Sequence, residues 1–147
     1  MLRSFLALSN RERLLVLEAA VLLVGVGAAI RVVAYTRVRS ALESVSAPFL
    51  GSGTPRERVG WAVDAADGAT PGDRSCLTRA LVAEAMLKRR GRETALRFGV
   101  DDAGADVEAH AWLESGGETV VGGENREAYT RLEASCGGDE SKQGKIY

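Results

Sequence analysis

The sequence predicts an α+β fold, with helices first and strands after, and three observations carry that expectation. Residues 9 to 91 hold three runs of helix formers, separated by the glycine- and proline-rich stretches "SAPFLGSGTP" and "DGATPGDRS". Residues 94 to 121 then alternate apolar and polar in the two-residue period of strands. A tight "SGG" divides the last two of these runs, as in an antiparallel meander. Helices followed by strands is the α+β order, a helix packed on a small antiparallel sheet.

Each element has its own local reason. "SNRERLLVLEAAVLL" opens with Ser9 or Asn10 as N-cap and charged residues in the first turn, and the helix is expected to run past Gly25 and Gly27 to Tyr35 or Ser40. Thr54-Pro55-Arg56-Glu57 reads as an N-cap followed by proline at the first helical position, opening a second helix to about Ala66. Cys76 to Arg90 forms the third helix, with Gly91 in the C-cap role and Lys88-Arg89-Arg90 as a solvated, basic last turn that suits the helix dipole. "TALRFGV", "VEAHAWLE" and "ETVVGG" are the strands. Trp61 and Trp112 read as core aromatics, Trp112 also standing beside His110 where it would shield it from water. The organisation expected is a helical region over residues 1–50, a core over 51–133 and a disordered tail over 134–147, which has little apolar content.

Bulk composition excludes several function classes. With 147 residues and 46% hydrophobic content the chain can bury a core without metal or disulfide staples. Nineteen Lys and Arg against 20 Asp and Glu leave no overall field for nucleic acid or an acidic substrate. A single histidine and two cysteines, Cys76 and Cys136, in no metal-ligand spacing, argue against a zinc site and against a disulfide framework. No metal and no cofactor is expected.

Leu14 to Ile30 is apolar except for Glu18. The run starts after Arg11, Glu12 and Arg13 and offers no clean cleavage site, so it does not read as a signal peptide. It is shorter than the ~20 residues of a spanning helix and holds a glutamate that is costly at depth. A helix buried on most faces by its own protein, or one lying against a membrane surface, fits better, and either places the protein in the cytoplasm.

The chemistry concentrates on Cys76 and His110. Cys76 stands one residue inside a helix start, where partial positive charge and free N–H groups favour thiolate over thiol. In "VEAHAWLE", Val107, Ala109, Ala111 and Leu113 share one face, and Glu108, His110, Trp112 and Glu114 the other. If the third helix packs on this sheet, the histidine strand can cross its first turn and bring the imidazole toward Cys76. An imidazole there would pair with the thiolate and later return a proton to a leaving amine, while first-turn N–H groups hold an oxyanion. By residue type alone the alternatives stay open: a lone cysteine is most often a small core hydrophobe, and a lone strand histidine is usually structural. Cys136, in a glycine-rich tail, has no partner in view. Arg79, one turn after Cys76, either structures the helix face or binds a carboxylate.

"SCLTRALVAEAMLKRRGRETALRFGV" followed by "EAHAWLESGGETVV" resembles the transglutaminase-like (papain-like) cysteine protease core of lasso-peptide leader peptidases, the B proteins typified by microcin-processing enzymes. The matching positions are Cys76, Leu77, Arg79, Arg89, Arg90, Gly91, Gly99, Val100, Ala109, His110, Ala111, Trp112 and Glu114. "RERLLVLEA" and "RVGWAVDAA" extend the likeness to the stand-alone form of that family, over about residues 5 to 133. The resemblance implies a Cys76 nucleophile and a His110 general base and acid, cutting the leader from a ribosomally made precursor. It also implies partners, namely the precursor peptide, a separate leader-recognition protein and a macrolactam cyclase, with the N-terminal helix as a further contact to a membrane surface. The family places an aspartate roughly a dozen residues past the histidine to orient it, where this chain reads "VVGGENRE" with Gly122 or Gly123. Glu124 or Asn125 could replace it after a small shift in the turn, since an amide can orient a histidine in cysteine proteases. Without such a residue the alternatives are a Cys-His dyad, a non-catalytic scaffold in a peptide-modification complex, or a peptide acyltransferase, which shares the thioester intermediate.

Overall fold

The computed structural model describes residues 8–44, 53–70, 75–101, 108–123 and 130–132. Helix α1 (Asn10–Val32) starts at Ser9, whose hydroxyl accepts from the Glu12 amide while the Glu12 carboxylate accepts from the Ser9 amide, a reciprocal capping box. The helix does not run on to Tyr35 or Ser40 as the sequence suggests. It breaks at Val33, in extended conformation (φ −125°, ψ 143°), and α2 (Tyr35–Ser44) follows as a separate helix. The reason is periodicity. Tyr35 falls in seven-residue steps after Leu14, Val21 and Ala28, so an unbroken helix would aim it outward with them. After the break Tyr35 meets Phe98 edge-on at 6.3 Å, Val38 is buried and Arg39 reaches Glu84.

Helix α3 (Arg56–Ala69) begins after Pro55, which is itself the cap residue, with no side-chain cap from Thr54; the helix runs one turn beyond Ala66. Val59, Ala62, Val63 and Ala66 are buried, and at Gly60 the α3 backbone lies so close to the Val120 carbonyl that no Cβ fits between them. Trp61 is not a core aromatic. It is 37% exposed, with the Arg58 guanidinium 5.8 Å from its ring centre. Helix α4 (Cys76–Lys88) is the centre of the molecule: Thr78 and every residue from Ala80 to Leu87 are buried. A helix with so little exposed face has to be surrounded, and α1, α2, α3 and the sheet all pack on it. The chain then turns through Gly91, at φ +70°, where the Arg90, Gly91 and Arg92 amides close the last turn on the Leu87 and Lys88 carbonyls.

The strands are β1 (Ala95–Asp101), β2 (Glu108–Ser115), β3 (Glu118–Val121) and β4 (Thr130–Leu132), antiparallel in the order β3-β2-β1-β4. β4 pairs Leu132 with Phe98; it lies past the three-strand meander read from the sequence, and three residues are too few to show a period. Leu113 and Val121 join the helical core, so one face of the sheet covers the helices. Among the described residues the order, four helices and then four strands, is α+β, as expected.

α1 and α4 are also joined by charge. Glu18, the one acid in the apolar run, bonds Arg90 at 2.6 Å, and the Arg90 side chain is 1% exposed. The "KRR" segment is therefore not a simple solvated helix end. Arg90 turns back into the protein, Arg89 lies 3.7 Å from Glu18, and only Lys88 stays at the surface, paired with Glu43 and Glu84. The inward face of α1 (Leu15, Val16, Ala19, Leu23, Val26) belongs to the common core, while Leu14, Leu17, Val21 and Val24 on its other side are exposed. α1 is long and apolar enough to cross a membrane by length and composition, and only 28% of its most apolar stretch is buried. The expected tail over 134–147, with Cys136, lies outside the described residues.

Candidate active site

Ser75 places the thiol. As N-cap of α4 its hydroxyl accepts from the Thr78 amide at 3.3 Å and pairs with the Thr78 hydroxyl at 3.0 Å. Cys76 thereby becomes the first helical residue, and its amide and that of Leu77 are first-turn donors that the helix leaves unused. Arg79, one turn on, pairs with Asp64 and Asp67 of α3, so the carboxylates it binds are the protein's own and the pairing also structures this helix face. Cys76 is half-buried and carries a free thiol.

The second half of the site comes from β2. Its alternation sends Ala111 and Leu113 toward the helices and His110, Trp112 and Glu114 to the other face. α4 packs on the Leu113 face of β2, and its first turn reaches the strand that carries the histidine. The thiol meets the strand at its edge. β3 pairs with β2 only from Leu113 onward, through a register shift at Leu113/Glu114, so the edge before it is open. There the Ala111 amide donates to Cys76 Sγ at 3.4 Å. This contact satisfies an edge donor and holds the sulfur beside the main chain of the residue that follows His110.

The His110 ring is held from two sides. Nε2 lies 2.8 Å from the Gly122 carbonyl oxygen, and the Trp112 indole stacks with it at 6.2 Å between centroids and 22° between planes. Trp112, 2% exposed, is a core aromatic as expected. Its indole N–H donates to Glu114 at 3.1 Å, and Glu114 also accepts from Arg97 at 3.2 Å. The alternating triplet His110, Trp112, Glu114 is thus a ladder on one sheet face in which each member steadies the next.

Gly122 follows β3 at φ +77°, and a Cβ there would stand 2.8 Å from the Ala111 carbonyl and 3.1 Å from Trp112 Cβ. Gly123 is exposed. Glu124 and Asn125, the replacements considered for an orienting residue, lie outside the described residues. Among the described residues no group of three or more histidine, cysteine, aspartate or glutamate side chains could hold a metal ion. The sequence singled out Cys76 and His110 and, through "VVGG", the place of Gly122. It missed the Ala111 amide and the Gly122 carbonyl, because main-chain donors and acceptors occur at every position and only the fold selects among them.

A model of the transglutaminase-like superfamily matches residues 14–134, which span α1 to β4 and include both Cys76 and His110. No curated protein and no solved structure matches the chain.

Proposed function

Because the chain belongs to the transglutaminase-like superfamily, whose members are often cysteine proteases or acyltransferases, we propose that it is a cysteine peptidase that removes the leader from a ribosomally made lasso-peptide precursor. The observation that carries this reading is the contact between Cys76 Sγ and the Ala111 amide at 3.4 Å, which sets a helix-start thiol beside the strand residue next to the only histidine of the chain. In the reaction the Cys76 thiolate adds to the scissile carbonyl. The first-turn amides of α4 receive the oxyanion, and His110 returns the proton to the leaving amine, giving a thioester that water resolves. The same thioester resolved by an amine is acyl transfer. The lasso specificity rests on the sequence resemblance. With it come a precursor peptide, a separate leader-recognition protein and a macrolactam cyclase as partners, and a cytoplasmic location with peripheral membrane contact through the exposed Leu14, Leu17, Val21 and Val24.

The test is leader cleavage of a lasso-peptide precursor, with a leader-recognition protein present. Cys76→Ala and His110→Ala each abolish it, a loss of about two to four orders of magnitude for the general base alone, while circular dichroism and melting temperature stay at the parent values. Cleavage that persists in Cys76→Ala removes the nucleophile assignment. A second reading, a non-catalytic scaffold, is favoured by one observation: residue 122 is a glycine with no side chain to orient His110. Iodoacetamide separates the two, since a scaffold thiol reacts with the pH profile of free cysteine and does not respond to His110→Ala. Fractionation without detergent tests the membrane contact, and a wholly soluble protein removes it.

A further inference from the structure

Taking the membrane contact proposed above as given, we infer that α1 lies lengthwise on an anionic membrane surface. Its outward strip enters the acyl boundary, and Arg11 and Arg31 meet lipid phosphates at the two ends.

The strip is continuous. Between Arg13 and Arg31 the exposed positions of α1 are Leu14, Leu17, Val21, Val24, Gly25 and Ala28, none with a polar side chain. At 3.6 residues per turn they share an arc of about 100°, and Leu14 to Ala28 spans about 21 Å along the axis. Glu18 is the one charge that would break the strip. It stands one turn after Leu14, at the border of the arc, yet its side chain is 9% exposed because Arg90 takes it at 2.6 Å. The pair that ties α1 to α4 therefore also keeps a carboxylate off the outward face, where it would be costly against lipid.

Charge decides what covers the strip. Residues 1–44 hold six arginines and three glutamates, in a chain whose totals nearly cancel. Each of those glutamates already pairs with a cation of the protein, Glu12 with Arg58, Glu18 with Arg90 and Glu43 with Lys88. Arg11 and Arg31 are exposed at the ends of the strip. A second copy of the chain fits poorly. Antiparallel about Val21 it brings Arg11 level with Arg31, and parallel it brings each arginine level with itself, so both ends repel. A partner protein ordinarily shares about one hydrogen bond per 100–200 Å² of interface, and no side chain of the strip can make one. An anionic bilayer answers both needs, with acyl chains for the leucines and valines and phosphates for the arginines.

The same seat places the proposed active site. Gly27 of α1 faces Thr78 of α4, whose methyl would stand 3.8 Å from a Cβ at residue 27. The first turn of α4, with Cys76, thus lies one helix removed from the lipid.

Co-sedimentation of the full-length protein with vesicles tests this. Binding is expected to phosphatidylcholine vesicles containing one quarter phosphatidylglycerol, and not to phosphatidylcholine alone. Val21 is 71% exposed, so Val21→Glu leaves the fold intact; it is expected to weaken binding by about tenfold or more. Arg11→Gln and Arg31→Gln are each expected to weaken it by about fivefold, and all three variants keep the parent melting temperature. Equal binding to both vesicles overturns the inference while the membrane contact itself stands, and binding to neither removes both. Unchanged binding by Val21→Glu, or by both arginine variants, overturns the inference as well. So does retention of the bound protein through alkaline carbonate, which means that α1 crosses the bilayer. A dimer in sedimentation velocity that Val21→Glu dissociates gives the strip to a second copy and overturns it too. Leader cleavage in solution, lost in Cys76→Ala, judges the peptidase reading separately.

Discussion

The two ends of α4 are fastened by different physics. At its C-terminal end Arg90, with a 1% exposed side chain, bonds Glu18 of α1 and the Met86 carbonyl, and nearly two turns earlier the 4% exposed Glu84 takes Arg39 and Lys88. At its N-terminal end the partners are neutral: Ser75 with Thr78, and Cys76 with the Ala111 amide. A charged tie there, Arg79 with Asp64 and Asp67, is shared with solvent, Asp64 being 53% exposed. Buried charge has to be matched to be tolerated, and once matched it is costly to pull apart. It therefore suits an anchor. A reactive sulfur is governed instead by its helix start and by a neighbouring imidazole.

The largest effect is expected at the anchor. Arg90→Ala leaves the buried Glu18 with only the more distant Arg89, at 3.7 Å, and breaking a buried pair from one side costs about 3–5 kcal/mol. Chemical denaturation reads this as a lower midpoint with an unchanged slope. Glu18→Leu with Arg90→Met removes the closest pair and recovers part of that stability, since apolar residues of similar volume replace such pairs at little net cost while Arg89 loses its 3.7 Å partner. A single variant within about 1 kcal/mol of the parent, the range of an exposed pair, would mean that this end is not an anchor at all.

This contrast also marks what the sequence could say. The thiol end was legible because its signals are local: Ser75 before a helical run, Cys76 at its start, Gly91 after its end, and the two-residue alternation that puts His110 with Trp112 and Glu114. The anchor end was not. "KRR" has the composition of a solvated helix end, and nothing near it in sequence shows that Glu18, 72 residues away, turns Arg90 inward. The break at Val33 and the three-residue β4 were hidden for the same reason, being set by what Tyr35 and Phe98 meet across the fold. Trp61 was misread because an aromatic on a helix suggests core, although a neighbouring arginine can cover it at the surface. At the site, "VVGG" marks the place where the Gly122 carbonyl meets the His110 ring, a main-chain contact that no residue type announces.

A smaller effect is expected at the thiol end. Ser75→Ala removes the hydroxyl that accepts from the Thr78 amide, a cap worth about 0.5–2 kcal/mol. The helix stays in place, held by its buried face and its anchored end, but its first turn frays and Cys76 with it. Leader cleavage is therefore expected to fall by more than the modest loss of stability suggests, whereas Arg90→Ala, assayed below its own melting range, keeps its cleavage rate. The comparison is sharpened if these two variants rank in opposite order for stability and for activity. It is broken if activity simply follows stability.

The smallest effect separates the two serine-capped helix starts. Ser9 of α1 faces Glu12 three residues on, and Ser75 of α4 faces Thr78, so one cap is charged and the other is not. The Glu12 carboxyl is held below its ordinary value of 4.5, first by the Ser9 amide, then by the Ser9 hydroxyl and by Arg58. A group whose folded-state value is depressed gives stability that is fully present above its unfolded value and is lost as the pH falls through the folded one. Protection of the first-turn amides of α1 against hydrogen exchange, normalised for intrinsic rate, is thus expected to decline below about pH 4.5. The first turn of α4, with no carboxyl in its cap, is expected to keep its protection over the same interval. Glu12→Gln makes the two starts respond alike, because a carboxamide keeps much of the hydrogen bonding and does not titrate. If α1 and α4 lose protection together in the parent protein, global unfolding rather than the Glu12 cap governs the acid response, and the charged cap has no separate role.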